Sequence, residues 1–309
     1  METTITNTLT NQAPSTTAPT INTPSISSAA VLVELSISTW TGRKLDKTVS
    51  NEITATKHAQ KGTANVNKKI LGDCAELDAV QKFAANVRNA HYAMTLPWSD
   101  TGLRLLTTKN YFGYQQQLTA LQAEFNNLVE KFLAAYGWEV GQAQVRLGAL
   151  FNANDYPSAD SIRDKFKFNI NYMPVPEAGD FRLDVSNEAN KQLAEHYNNY
   201  YQTQLKTAMQ DVWTRAHNAL SKMSERLDYA DHQTKKIFRD SLVDNVLEVV
   251  ELMDTCNITG DTHMSAIKTK LRDALSGVTP DALRQDEYYR LETKRKVDEA
   301  IASLPSINL

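Results

Sequence analysis

Apolar and polar residues alternate in three short stretches of the chain, with the period of two that is typical of β-strands. The first is AAVLVELSISTW at residues 29 to 40, and the second is KFKFNINY at residues 165 to 172. A third run, FRLDV at residues 181 to 185, follows the second after a loop that contains two prolines and a glycine. The pattern predicts a small three-stranded antiparallel sheet that buries its aromatic side chains and exposes Lys165 and Lys167.

Residues 73 to 136 have the spacing of two helices that pack against each other. Apolar residues recur at steps of three and four between residues 77 and 94, and again between residues 118 and 135. Two matching seams of this kind predict a helical hairpin with coiled-coil packing. His91 lies on the first seam, where a single histidine is more often a packing residue than a ligand.

The segment between these helices, TLPWSDTGLRLL at residues 95 to 106, has two interpretations. Pro97 is disfavoured in a helix interior and Gly102 allows a positive φ, so the segment predicts a corner that closes the hairpin. Trp and Arg are also residue types that dominate protein interfaces, which supports a partner-binding loop instead. In such a loop the binding residues would be Trp98, Asp100 and Arg104, although Asp100 and Arg104 are also spaced to pair with each other.

Helices are predicted for the rest of the chain. Apolar residues recur without a break from 186 to 228, and a helix of that length would be roughly 60 Å long. Because one compact core does not cover such a helix, the pattern predicts that part of it packs against another helix or another subunit. Three further helices are predicted at about residues 232 to 255, 262 to 276 and 280 to 303.

These elements together predict an α+β protein, a mostly helical and elongated bundle with helical hairpins and a small sheet. Residues 1 to 28 are rich in Thr and Ser and contain no Lys or Arg, which predicts a disordered tail. Residues 29 to 228 are predicted to form the α+β core, and residues 229 to 309 a C-terminal helical region.

Composition and charge narrow the possible functions. The net charge of the 309 residues is −3, so the chain as a whole is not a polycation, and any nucleic-acid surface must be local. Cys74 and Cys256 do not form a disulfide framework, which favours a reducing compartment. No apolar run approaches the roughly 18 residues that span a bilayer. We therefore expect a soluble, intracellular protein without membrane contact.

The most basic part of the chain is residues 43 to 69, which contain seven Lys and Arg residues and two acidic residues. One interpretation is a phosphate-binding arm with Trp40 as a base-stacking platform. The other is a solvated, poorly ordered connector whose lysines only maintain solubility. The candidate nucleic-acid-binding residues are Trp40, Arg43, Lys44, Lys57, Lys61, Lys68, Lys69, Lys165 and Lys167.

Motifs of common enzymes are missing from the sequence, including the phosphate-binding, dinucleotide-binding, zinc-protease and serine-hydrolase signatures. Acidic residues share a helix face between 240 and 251, which suits either a hard cation or a solvated surface. DTCNITGDTH at residues 254 to 263 matches no standard metal loop, and its residues are also those of turns and helix caps. We predict no metal ion, no cofactor and no catalytic residues. An enzyme is the third possible function, after the two binding functions described below.

Four segments, TLPWSDTGLRLL, NYFGY, LGALFNANDYPS and FNINYMPVPEAGDFRLDV, resemble in that order a family of uncharacterised proteins encoded by tailed bacteriophages and prophages. The resemblance covers roughly residues 30 to 227 and implies expression in an infected bacterial cell, but it brings no catalytic residues. We therefore expect a non-catalytic phage protein that acts by binding and self-assembly. Its expected partner is single-stranded nucleic acid in phage DNA metabolism, and the alternative is a host or phage protein.

Overall fold

The computed structural model describes residues 26–176, 187–229, 236 and 238–305. The described chain is a mostly helical α+β protein with two small antiparallel sheets, which confirms the predicted fold class. The third predicted strand, at residues 181 to 185, and most of the predicted tail lie outside the described residues. The tail boundary at residue 28 is corrected, because a short helix already begins at Ile26.

The first half of the chain contains the strands and the helical hairpin. Its elements are α1 (Ile26–Ala29), β1 (Ala30–Ser38), β2 (Arg43–Asp46), α2 (Lys47–Thr56), β3 (Val66–Lys69), α3 (Ala75–Met94), β4 (Leu96–Pro97), β5 (Arg104–Thr107) and α4 (Thr108–Leu147). The second half is mainly helical. Its elements are α5 (Ala159–Arg163), β6 (Lys167–Pro174), α6 (Asn187–Leu227), α7 (Ser241–Cys256), α8 (Thr262–Leu275), α9 (Pro280–Gln285) and α10 (Glu287–Ala302).

The larger sheet has four described strands in the order β4-β5-β1-β6, all antiparallel, so the prediction of three strands is corrected. The two strands predicted at residues 29 to 40 and 165 to 172 pair with each other, and Leu35 of β1 lies opposite Ile170 of β6. The corner prediction for residues 95 to 106 is confirmed, but this corner also supplies β4 and β5. Its turn is closed by the Ser99 amide, which donates to the Leu103 carbonyl at 3.1 Å. Gly102 has φ +100° there, a conformation that favours glycine.

The sheet lies between two helical layers, because β1 contributes to a core on each of its faces. Leu32 packs with α6, α7, α8 and α10, whereas Val33 packs with α3 and α4. Neighbouring strand residues point to opposite faces, and here both faces are covered. The expectation of one apolar and one solvated face is therefore wrong for the centre of the sheet.

The α3–α4 hairpin is confirmed, and its two seams bury each other. Val80 and Val87 of α3 and Phe132 of α4 have no exposed surface. Because the two seams pack against each other within the chain, they are not free to bind another copy. His91 is buried as well, and its Nδ1 lies 2.8 Å from the Tyr114 hydroxyl, which confirms it as a packing residue.

The C-terminal helices complete the second core around the later part of α6. The long helix is confirmed at 41 residues, and Val212, Ala216 and Leu220 are buried in it. The single helix predicted for residues 280 to 303 is instead two helices. Asp286 ends α9 and caps α10 by accepting a hydrogen bond from the Tyr289 amide at 2.9 Å.

Candidate nucleic-acid interface

Residues 43 to 69, called here the basic module, form a folded unit of β2, α2 and β3. Asp46 caps α2 by accepting from the Val49 amide at 3.1 Å. The Ser50 hydroxyl donates to the Asp46 carbonyl at 2.5 Å and accepts from the Val66 amide at 2.9 Å, so it ties the helix to both strands. The expectation of a poorly ordered connector is therefore wrong.

Lys68 stabilises the basic module and is not free to bind phosphate. Its ammonium lies 3.2 Å from Asp46 and 2.9 Å from Asp155, and it donates to the Leu150 carbonyl at 2.8 Å. These contacts, chiefly the hydrogen bond with Asp155, raise the pKa of Lys68. They also offset the repulsion with Lys44, which lies directly opposite Lys68 in the two-stranded sheet. The prediction that Lys68 binds nucleic acid is corrected.

Lys44 and Lys69 are exposed and pair only at the surface. Lys44 lies 3.8 Å from Asp155, and Lys69 lies 3.3 Å from Asp73. Exposed ion pairs of this kind contribute about 0 to 1 kcal/mol, so a phosphate can replace the carboxylate at little cost. Both lysines remain candidates.

Trp40 has contacts within the fold. Its ring packs on α4, with ring centroids 6.0 Å from those of both Phe132 and Tyr136, and its carbonyl accepts from the Gln81 side chain at 2.9 Å. Trp40 therefore has a packing role in the fold, and base stacking on its ring stays a prediction.

Within the basic module and at the start of β6, six basic side chains are exposed and have no ion-pair partner among the described residues. They are Arg43, Lys47, Lys57, Lys61, Lys165 and Lys167, and together they are called the cationic surface. Five of them are candidates named from the sequence, whereas Lys47, the first residue of α2, was counted in the basic segment but not named as a candidate. The structure thus separates the basic residues that hold the fold from those that remain available.

The two parts of the cationic surface lie at the same end of the sheet. Lys167 of β6 is opposite Ser38, the last residue of β1, and the chain then continues to Arg43. Phe166, next to Lys167, packs on Phe132 with ring centroids 5.7 Å apart, and Phe132 also contacts Trp40. A shared aromatic cluster therefore positions the basic module beside the start of β6.

The residues predicted for a partner-binding loop are mostly structural. Trp98 is 3% exposed and packs on Tyr201 with ring centroids 5.4 Å apart. Arg104 donates to the Thr95 hydroxyl at 2.6 Å and to the Thr95 carbonyl at 2.8 Å. It therefore does not pair with Asp100, which is exposed at the tip of the turn.

Nothing matches this chain among models of known protein families, curated proteins or solved structures. None of the described helices combines the length and apolar character that a membrane crossing requires.

One group of side chains in the described structure could hold a metal ion, namely Cys74, Glu76 and Glu139, whose ligand atoms lie within 4.8 Å of one another. Glu139 is already neutralised by Arg146, which donates to its carboxylate at 2.8 Å. Burial raises the pKa of the Cys74 thiol, so it is protonated at neutral pH. A protonated thiol and a paired carboxylate fit a metal ion poorly.

The other predicted clusters of polar residues have structural roles. Asp261 caps α8 by accepting from the His263 and Met264 amides at 2.8 and 3.2 Å, and Asp254 pairs with Lys268. Burial lowers the pKa of His91 to about 4 and raises that of Cys256 to about 11. Both groups therefore stay uncharged in the core at neutral pH.

Replacing Arg146 with Met is expected to lower the free energy of unfolding by about 2 kcal/mol, because Glu139 would remain as an unpaired and nearly buried carboxylate. Urea unfolding of the two proteins measures this difference. Adding Glu139→Gln to Arg146→Met should recover part of the loss, since the double variant has no buried charge. A double variant as unstable as the sum of the single ones would show that the pair is not coupled.

Proposed function

We propose that this protein is a non-catalytic binding protein whose cationic surface contacts the phosphates of single-stranded nucleic acid. The observation that supports the proposal is that six exposed basic side chains without a described acidic partner are concentrated in the basic module and at the start of β6. Each phosphate that such a side chain neutralises releases condensed counterions, which drives binding. Lys44 and Lys69, held only by surface pairs, extend the same surface.

The binding is proposed to depend on phosphates and to tolerate different base sequences. Trp40 is packed on α4, so the proposed binding does not include stacking of a base on its ring. Contacts with phosphates position a nucleic acid but carry no direct sequence information. A single strand is the proposed partner because it is flexible, whereas bending duplex DNA over a site of about 20 to 30 base pairs costs on the order of 1 to 6 kcal/mol.

The charge of the whole protein supports a confined binding face. The net charge is −3 although the cationic surface is locally basic, so the remaining surface is acidic on balance. An acidic remainder repels a polyanion and restricts its contact to the basic end. The affinity should therefore be modest and strongly dependent on salt.

The biological setting in this proposal comes from the sequence resemblance alone. It places the protein in the cytoplasm of an infected bacterial cell, where it would act in phage DNA metabolism through binding and self-assembly. The displaced pKa values of His91 and Cys256 arise from burial in the core, which is consistent with a non-catalytic role.

The alternative proposal is a protein-interaction module that engages a host or phage protein. The corner supports it less than the sequence suggested, because Trp98 and Arg104 are held by Tyr201 and Thr95. Asp100 remains exposed and could still contact a basic partner. Replacing Asp100 with Asn would weaken such a complex and leave oligonucleotide binding unchanged.

The test is oligonucleotide binding by two variants with equal changes of charge. One variant converts Lys57, Lys61, Lys165 and Lys167 to Glu, and the control converts Lys82, Lys206, Lys270 and Lys296 to Glu. All eight lysines are exposed, so both variants are expected to fold, which circular dichroism checks. Fluorescence anisotropy with a labelled single strand should show a loss of more than about 100-fold for the first variant and a much smaller loss for the control.

Equal losses in the two variants would contradict the proposal, since they would show that net charge matters and position does not. Absence of binding by the unaltered protein at low salt would remove nucleic acid as the partner. Binding that requires one base sequence would contradict the phosphate-only part of the proposal.

A further inference from the structure

The outer face of α4 between residues 134 and 145 is apolar and uncovered. The residues on this face follow one another at steps of four, three and four, and they are Ala134, Trp138, Gly141 and Val145. Trp138 is 63% exposed and Val145 is 82% exposed. Phe132 and Tyr136, on the opposite side of the helix, are buried in the core. The uncovered residues are called the α4 outer face.

Exposed charge is missing along this part of the helix. From residue 132 to residue 145 the one charged residue is Glu139, which is 4% exposed and paired with Arg146. Solvated helix faces normally carry charged residues, whereas the centres of protein interfaces are depleted of them and enriched in Trp. The α4 outer face therefore has the composition of an interface centre.

This stretch contains two glycines at positions where no contact within the described structure requires a glycine. Gly137 and Gly141 lie inside α4, and a Cβ added at either position would meet no atom within 4 Å. Glycine in a helix interior costs about 1 kcal/mol relative to alanine. Glycine at such a position commonly allows another backbone or a large side chain to approach closely. Nothing in the described structure lies within 4 Å of a Cβ built at these glycines, so there is room for another molecule to approach the helix closely.

The order of residues on the α4 outer face makes it complementary to itself. If a second copy of the helix runs antiparallel about a two-fold axis between residues 139 and 140, Trp138 lies opposite Gly141 and Ala134 lies opposite Val145. Each larger side chain thus meets a smaller residue, and the same two pairs recur on the other side of the axis. A two-fold interface requires this self-complementarity.

From these observations we infer that a second copy of this chain docks antiparallel on the α4 outer face, with Trp138 of each copy packed over Gly141 of the other. The contact extends over 12 residues, or about 18 Å of helix, so the dimer is weak and reversible. This inference gives the self-assembly part of the proposed function a definite surface, and it stands apart from the nucleic-acid part. A dimer would also join two cationic surfaces and so raise the affinity for a long strand.

The first test uses two glycine substitutions with the same effect on the helix. Gly141→Ala and Gly113→Ala both lie in α4, and neither added Cβ meets an atom within 4 Å. Both should raise the thermal midpoint of the monomer, because alanine is the better helix former. Sedimentation equilibrium should show association weakened about tenfold by Gly141→Ala and unchanged by Gly113→Ala.

The second test is a rescue by mixing. Trp138→Ala removes the large side chain from both contacts, and Gly141→Trp places two large side chains against each other, so neither variant should dimerise alone. Mixed in equal amounts they should form a heterodimer, because each contact then joins one large and one small residue. Cross-linking supports the antiparallel register if Ala134→Cys forms a disulfide with Val145→Cys in a mixture and not with itself.

Several outcomes would overturn the inference. A monomer at all accessible concentrations would remove it together with the self-assembly proposal, and would leave the nucleic-acid proposal unaffected. Association that Trp138→Ala and Gly141→Trp do not change would place the interface elsewhere. If Trp138→Ala instead weakens oligonucleotide binding at concentrations where the protein is monomeric, the α4 outer face contacts bases and the second copy is the wrong occupant.

Discussion

Replacing Arg290 with Met is expected to lower the free energy of unfolding by about 3 to 5 kcal/mol. The Arg290 side chain in α10 has no exposed surface. Its guanidinium donates to the Tyr229 carbonyl at 3.2 Å and to the Leu283 carbonyl at 3.2 Å, and it lies 3.9 Å from the centre of the Tyr229 ring. Methionine cannot donate, so both buried carbonyls would lose this partner. Urea unfolding followed by circular dichroism measures the change.

Arg295 in the same helix provides the matched control. It is exposed and pairs at the surface with Glu292 and Glu299, so Arg295→Met should change the unfolding free energy far less than Arg290→Met does. If both substitutions have effects of the same size, the role assigned to Arg290 in joining α9, α10 and the end of α6 is wrong.

Acid is expected to destabilise the protein through His91. Burial, with a smaller contribution from the charge of Arg104, lowers the pKa of His91 from 6.5 to about 4. The unfolded chain therefore binds a proton at a higher pH than the folded one, and stability falls as the pH drops from about 6.5 to about 4. A difference of this size corresponds to about 3 kcal/mol, and below about pH 4 this contribution no longer changes.

His91→Gln tests this assignment, because glutamine can still bind the Tyr114 hydroxyl but does not titrate. The difference in unfolding free energy between neutral pH and about pH 4.5 should shrink in this variant by about 2 to 3 kcal/mol. His196→Gln, at an exposed position on α6, should leave the difference unchanged. An unaltered acid sensitivity in His91→Gln would show that other groups cause it.

The parts of the fold that sequence predicted well are those with a local and repeated pattern. The seams of α3 and α4 repeat every three or four residues, and this period alone specifies which sides face each other. The alternation in β1 and β6 likewise predicts that both are strands of one sheet, whereas their register, with Leu35 opposite Ile170, is known from the structure alone. The strand β4 escaped detection because Leu96 and Pro97 are too few to show a period.

The basic residues of the candidate site were identified from the sequence, but their individual roles were not. A sequence shows how many charged residues a segment contains and does not show which of them form ion pairs. Lys68 finds its partner Asp155 in a loop far along the chain, so its structural role was invisible. Aromatic residues present the same difficulty. Trp40 and Trp98 read as possible contact residues, yet both pack within the chain, while the exposed Trp138 lies in a helix that seemed only to continue a buried seam.

The dependence of oligonucleotide affinity on salt tests the central claim most directly. If the cationic surface contacts phosphates, the logarithm of the association constant should fall linearly with the logarithm of the salt concentration, by about 0.7 for each contact. All six members of the cationic surface acting together would give a slope of about −4. The variant with Lys57, Lys61, Lys165 and Lys167 changed to Glu retains two of them, so its slope should be no steeper than about −1. A slope near zero for the unaltered protein would contradict phosphate binding by this surface.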